Sequence, residues 1–145
     1  MRQRLGVYMI AVVTVAAMAV GPSASAQGAS PSIVPVALWA ADLHGATAYP
    51  RVRGDAEVVL SGSNRSINVR IWHAARLAGR RLLVYSGGLL AGHMRVGSKG
   101  RAHFSRDTAK GQYVPPLRPD HRWIKVRTRR GVLVASGRLR LVNAP

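Results

Sequence analysis

Residues 66–72, Ser-Ile-Asn-Val-Arg-Ile-Trp, alternate apolar and polar side chains without a break. An extended chain turns successive side chains to opposite faces. Ile67, Val69 and Ile71 therefore share one face, and Ser66, Asn68, Arg70 and Trp72 the other. The same period of two recurs downstream. Met94 and Val96 oppose His93 and Arg95, and Ala102 and Phe104 oppose Arg101 and His103. Ile124, Val126 and Thr128 oppose Lys125, Arg127 and Arg129, while Leu133, Ala135, Leu139 and Leu141 oppose Arg138 and Arg140. Such strands have one buried and one wet face, and each needs a second layer to cover its apolar side.

The punctuation agrees with that reading. Fifteen Gly and eight Pro break the chain into short runs rich in Val, Ile and Leu. The runs are 36–41, 55–61, 66–73, 80–86, 93–96, 101–106, 123–128, 131–136 and 138–142. Only Ala74–Leu77 offers helical period, enough for one turn. The expected fold is all-β, an antiparallel β-sandwich or small barrel of about eight or nine short strands. Gly97-Ser98-Lys99-Gly100 has the composition of a tight hairpin connection, which would set His93 and His103 side by side on adjacent strands.

Ahead of this region, Arg2 and Arg4 precede an apolar run from Leu5 to Val20, then Gly21-Pro22 and Ala24-Ser25-Ala26. A positive start, an apolar helix and small residues at the cleavage positions make residues 1–26 a secretory signal peptide. The apolar run is short of the ~20 residues a membrane span requires. Residues 27–34 read as a disordered linker and 35–145 as a single β domain. Cleavage after Ala26 leaves 119 residues, and the net charge falls from +17 to +15 as Arg2 and Arg4 depart. The expected location is extracellular or associated with the cell envelope, with no membrane span after cleavage. There is no cysteine, which excludes disulfides, thiol chemistry and lipid attachment at the cleavage site.

Catalytic signatures are scarce. Asp55 and Glu57 would share a strand face, where they neutralise neighbouring arginines more readily than they act as an acid–base pair. No G-x-S-x-G elbow, P-loop or dinucleotide fingerprint occurs. Among five histidines, His93 and His103 are the metal-ligand candidates, as a cross-strand pair awaiting a third donor. Arg53-Gly54-Asp55 reads as the turn before a strand rather than an adhesion tripeptide. Pro115-Pro116-Leu117-Arg118-Pro119 reads as a stiff inter-strand connection. No cofactor is expected.

What stands out is basicity: 22 Lys and Arg against five acids. The stretch 122–142, RWIKVRTRRGVLVASGRLRLV, carries seven of them, and strand parity sets Lys125, Arg127, Arg129, Arg138 and Arg140 on one face with Arg130 at the hairpin tip. Arg70 and Trp72 also face outward. Arginine beside exposed aromatic rings suits anionic polymers: a wall polymer, an acidic polysaccharide or extracellular nucleic acid. A membrane-disrupting cationic effector is disfavoured, because no long amphipathic helix is present.

From Arg81 to Leu139 the spacing resembles small secreted bacterial β-domains that are distantly similar to the CHRD domains of chordin-type proteins. The matching features are LLVY at 82–85 with the glycines after it, AGHMRVGSKGRAHF at 91–104, and Thr108 and Gly111 ahead of Val114-Pro115. IKVR and GVLVASGRL complete the series. The His-Ile-His segment typical of CHRD domains is missing, since Arg95 follows His93-Met94, so no metal or ligand role carries over. The resemblance implies an antiparallel β-sandwich outside the cell and no enzymatic activity. The expected function is thus a non-catalytic binding or structural module contacting anionic polymers. The alternative is a histidine-dependent metal-binding protein or hydrolase.

Overall fold

The structure, a computed structural model, describes residues 36–117 and 122–143. The expected signal peptide and linker, Arg118 and Pro119 of the proline-rich connection, and Asp120 and His121 lie outside the described residues. Nine strands follow in chain order: β1 Val36–Gly45, β2 Arg53–Ser61, β3 Asn64–Trp72, β4 Arg81–Ser86, β5 Leu89–Arg95, β6 Ala102–Asp107, β7 Trp123–Thr128, β8 Leu133–Arg138 and β9 Arg140–Asn143. Each expected run becomes a strand, and the turn after β3 is a single 3-10 turn, Ala75–Leu77. A second such turn, Thr108–Lys110, is capped by the Asp107 carboxylate, which accepts from the Ala109 amide at 2.9 Å.

All paired strands are antiparallel and belong to one sheet, in the order β5-β4-β7-β8-β1-β2-β3-β6. β9 prolongs β8 and pairs with the first half of β1. The sheet curls until its edges β5 and β6 nearly meet, the barrel-like form of the expected all-β architecture. Ile67, Val69, Ile71, Leu82, Val84, Ile124, Val126 and Leu139 are buried together inside it. This is the single core that the alternation demands.

The seam between the edge strands depends on a missing side chain. Phe104 of β6 lies in the core, and a Cβ on Gly92 of β5 would sit 2.6 Å from its Cε2. Gly92 also marks the irregularity in the β4–β5 ladder, between Val84 and Tyr85. The expected hairpin at 97–100 is here a turn only. Gly100 donates to the Gly97 carbonyl at 2.9 Å, and Gly97 to Arg101 at 2.8 Å, but the strands it joins find other partners. β5 ladders with β4 and β6 with β3. The tight turn is correct and the pairing inferred from it is not.

Two inward assignments also change. The ladder slips between Val126 and Arg127, so that Val134 is an extra residue in β8. Val134 and Ala135 are both buried, and Leu133 is only half-buried. Leu141 was expected in the core but is 44% exposed. β7 begins at Trp123, and its last partner in this ladder is Arg138. β9 therefore runs past the end of β7 and pairs only with β1, and the alternation continues there although Leu141 stays largely exposed.

Removing the Phe104 ring should destabilise the fold by about 3–5 kcal/mol, as core truncations of this size do. Gly92→Ala should be costly in the native protein and less costly beside Phe104→Ala, because the ring it strikes is gone. Chemical denaturation of the two single variants and the double variant should give a coupling of about 1 kcal/mol or more. Additive losses would show that the ring does not rest on Gly92.

Candidate anion-binding surface

Charge is divided along the chain before it is divided in space. No acid occurs between Glu57 and Asp107 or after Asp120. β4, β5, β7, β8 and β9 are all cut from those two acid-free stretches. Because β5, β4, β7 and β8 are consecutive in the sheet, half of the barrel wall carries no carboxylate of its own. Among the described residues the acids stand on the other half: Asp42 of β1 lies directly across from Asp55 of β2, Glu57 follows on the same face, and Asp107 ends β6.

Ladder register arranges the cations of the basic half in rows. Arg81 opposes Arg95, Leu83 stands between His93 and Arg127, and Tyr85 stands between Leu90 and Lys125. Lys125 opposes Ser136, and Trp123 opposes Arg138. Like charges directly opposite each other repel. Arg95 turns its Nε to the Gly79 carbonyl at 3.3 Å, and Arg127 turns Nη1 to the Gly131 carbonyl at 2.8 Å. Arg129 and Arg130 form the exposed tip of the β7–β8 hairpin, closed by the Gly131 amide donating to Thr128 at 2.9 Å. Arg138 and Arg140 are exposed, and Arg140 pairs along β1 with Ala40.

Lys125, Arg127, Arg129, Arg130 and Arg138 thus lie along one hairpin, whereas Arg140 lies on β9 opposite Ala40 of β1, whose other neighbour is Glu57. Arg70 and Trp72 do not join the hairpin residues, since β1 and β2 intervene between β8 and β3. Neighbouring strands are about 4.8 Å apart, so three steps around a curved sheet turn these side chains to another side. Arg70 is also engaged: its Nε donates to Asp55 Oδ1 at 2.8 Å and its Nη2 to Oδ2 at 2.9 Å. Arg122 half-buries its guanidinium 4.3 Å from the Trp39 ring centroid and serves packing.

Sequence reasoning overlooked Trp123. Trp123 is 44% exposed opposite Arg138, at the start of β7 in the cationic half. The parity that turned Lys125 and Arg127 outward applies to it equally, so the signal was present. His93 and His103 sit in different ladders, and the His103 Nε2 is 2.6 Å from Asn68 Oδ1. Among the described residues no three His, Cys, Asp or Glu side chains gather as a metal-binding group, and no helix is long and apolar enough to cross a membrane. The chain matches no protein-family model, and no curated protein is significantly similar to it.

The Arg70–Asp55 pair is part-exposed, with side-chain accessibilities of 46% and 30%. A pair of that exposure contributes at most about 1 kcal/mol. Arg70→Gln should cost no more than that in urea denaturation and should leave affinity for heparin unchanged. A marked loss of heparin binding would place Arg70 within the binding surface after all.

Proposed function

We propose that the protein is a secreted, non-catalytic module that holds anionic polymers on the β5-β4-β7-β8 half of its barrel. The observation that carries this reading is the acid-free half itself, where Lys125, Arg129, Arg130 and Arg138 stand with Trp123 and Tyr85 on strands that carry no carboxylate among the described residues. A strongly basic surface attracts polyanions and raises their rate of encounter. Guanidinium groups beside aromatic rings add contacts that tolerate many sequences or sugar orders. The partner class is a wall polymer, an acidic polysaccharide or extracellular nucleic acid. The amino-terminal signal features and the resemblance to CHRD-type domains belong to the same reading, which needs neither a cofactor nor an enzyme. No observation favours the histidine-dependent alternative.

Counterion release supplies the test. Affinity for duplex DNA should fall with salt at a log–log slope of about −0.9 for each phosphate neutralised. Replacing Arg129, Arg130 and Arg138 together with Gln should make that slope shallower by about two to three. All three are exposed, so the melting temperature should hold. An unaltered slope in the folded triple variant would mean that this face is only solvated.

A further inference from the structure

The barrel has a second feature that no motif announced. β1, β3, β5 and β7 all end at the same mouth of the barrel, so residues 46–52, 73–80, 96–101 and 129–132 meet there. Between the first two lies an open cleft of about 480 Å3, the size of a small-ligand site. Arg51 and Arg76 stand at its edge, Tyr49 and His73 form its polar wall, and Ala74 and Leu77 belong to its buried floor. No acid lines it. Neither guanidinium has an ion-pair partner among the described residues.

The walls are fixed before any ligand arrives. The Tyr49 amide donates to Ala46 at 2.7 Å and the Val52 amide to Tyr49 at 3.1 Å. Arg53 clamps the same loop, donating from Nη1 to the carbonyls of Pro50 at 2.7 Å and Val52 at 2.8 Å. On the other side, the Ala74 amide reaches the Gly100 carbonyl at 3.0 Å. His73 has φ +61°, the one left-handed residue other than glycine among those described. That conformation is unfavourable for any side chain with a Cβ, and such outliers concentrate where ligands bind. Glycine would satisfy the backbone more cheaply, yet an imidazole stands here, at the cleft.

We propose that this cleft binds a single anionic sugar unit, a uronate or sulfated residue of the polymer. The inference takes its ligand class from the reading above but rests on different residues. Arg51 and Arg76 take the carboxylate or sulfate, for which the guanidinium fork is suited. Tyr49 and the small apolar floor receive the C–H face of the ring, and His73 supplies a hydrogen bond to a hydroxyl. Nucleic acid fits less well, because successive bases require a row of stacking rings and the cleft offers only Tyr49 and the imidazole of His73. Lys99, Arg129 and Arg130, on the remaining loops of this mouth, and Arg80 at the end of loop 73–80 lie between the cationic wall and the cleft.

Trigalacturonate, titrated calorimetrically into the purified protein, tests the assignment. It should bind the native protein, and the R51Q/R76Q variant should lose affinity by about tenfold or more, as expected for charge-assisted hydrogen bonds. His73→Gly should weaken binding while raising the melting temperature, a combination that a purely structural role does not produce. The R129Q/R130Q/R138Q variant should bind the trisaccharide normally. The cleft assignment is overturned if R51Q/R76Q binds the trisaccharide as the native protein does. It is equally overturned if the native protein ignores the trisaccharide at millimolar concentration while still binding long polygalacturonate. If instead R51Q/R76Q loses the trisaccharide and R129Q/R130Q/R138Q keeps full affinity for the long polymer, the cleft stands and the wall reading fails. Displacement of the trisaccharide by an equal concentration of oligothymidylate would overturn the choice of a sugar acid.

Discussion

Burial of one-sided strands is the constraint on which the rest of this molecule depends. No helix is available to cover the apolar faces of the described strands, so the sheet has to cover itself by curling. Closure then decides which residues are neighbours. It brings β5 and β6 together through Phe104 and the side-chain-free Gly92, and it turns every arginine at an outward position onto a convex wall. The apolar interior holds like charges on adjacent strands that would otherwise separate. Repulsion between Arg81 and Arg95, or along the β7–β8 hairpin, is tolerated because Leu82, Val84, Ile124 and Val126 are wholly buried beneath.

Strand order also converts a property of sequence into one of shape. The acid-free stretches are separate in the chain, yet β4 and β5 from the first and β7 and β8 from the second become consecutive in the sheet. The carboxylates of Asp42, Asp55 and Glu57 collect on the opposite half, where Asp55 engages Arg70 in a two-point contact. A molecule polarised in this way orients itself in the field of a polyanion before it touches it.

Strand positions and the inner face of most of them were legible, because alternation is a local signal and Ile67, Val69, Ile71 and Phe104 obey it. Which strands pair was not. The turn at Gly97–Gly100 looks the same whether its strands ladder together or part to the two edges of a sheet. The errors at Leu133 and Leu141 share one cause: parity cannot register an extra residue such as Val134, or the point where a partner strand stops. The hairpin cations were legible from parity alone. The separation of Arg70 and Trp72 from them was not, since it follows from sheet order. Nor was the cleft, which joins Arg51 to Arg76 through two loops with no common motif.

The central claim is that one half of the wall binds and the other does not. Amide chemical-shift mapping with a heparin-derived hexasaccharide tests it most directly. The account predicts perturbations along β4, β5, β7 and β8 and in loops 46–52, 73–80, 96–101 and 129–132, with the strand positions around Asp42, Asp55 and Glu57 silent. Perturbations spread evenly around the barrel, or centred on β1 and β2, would contradict it.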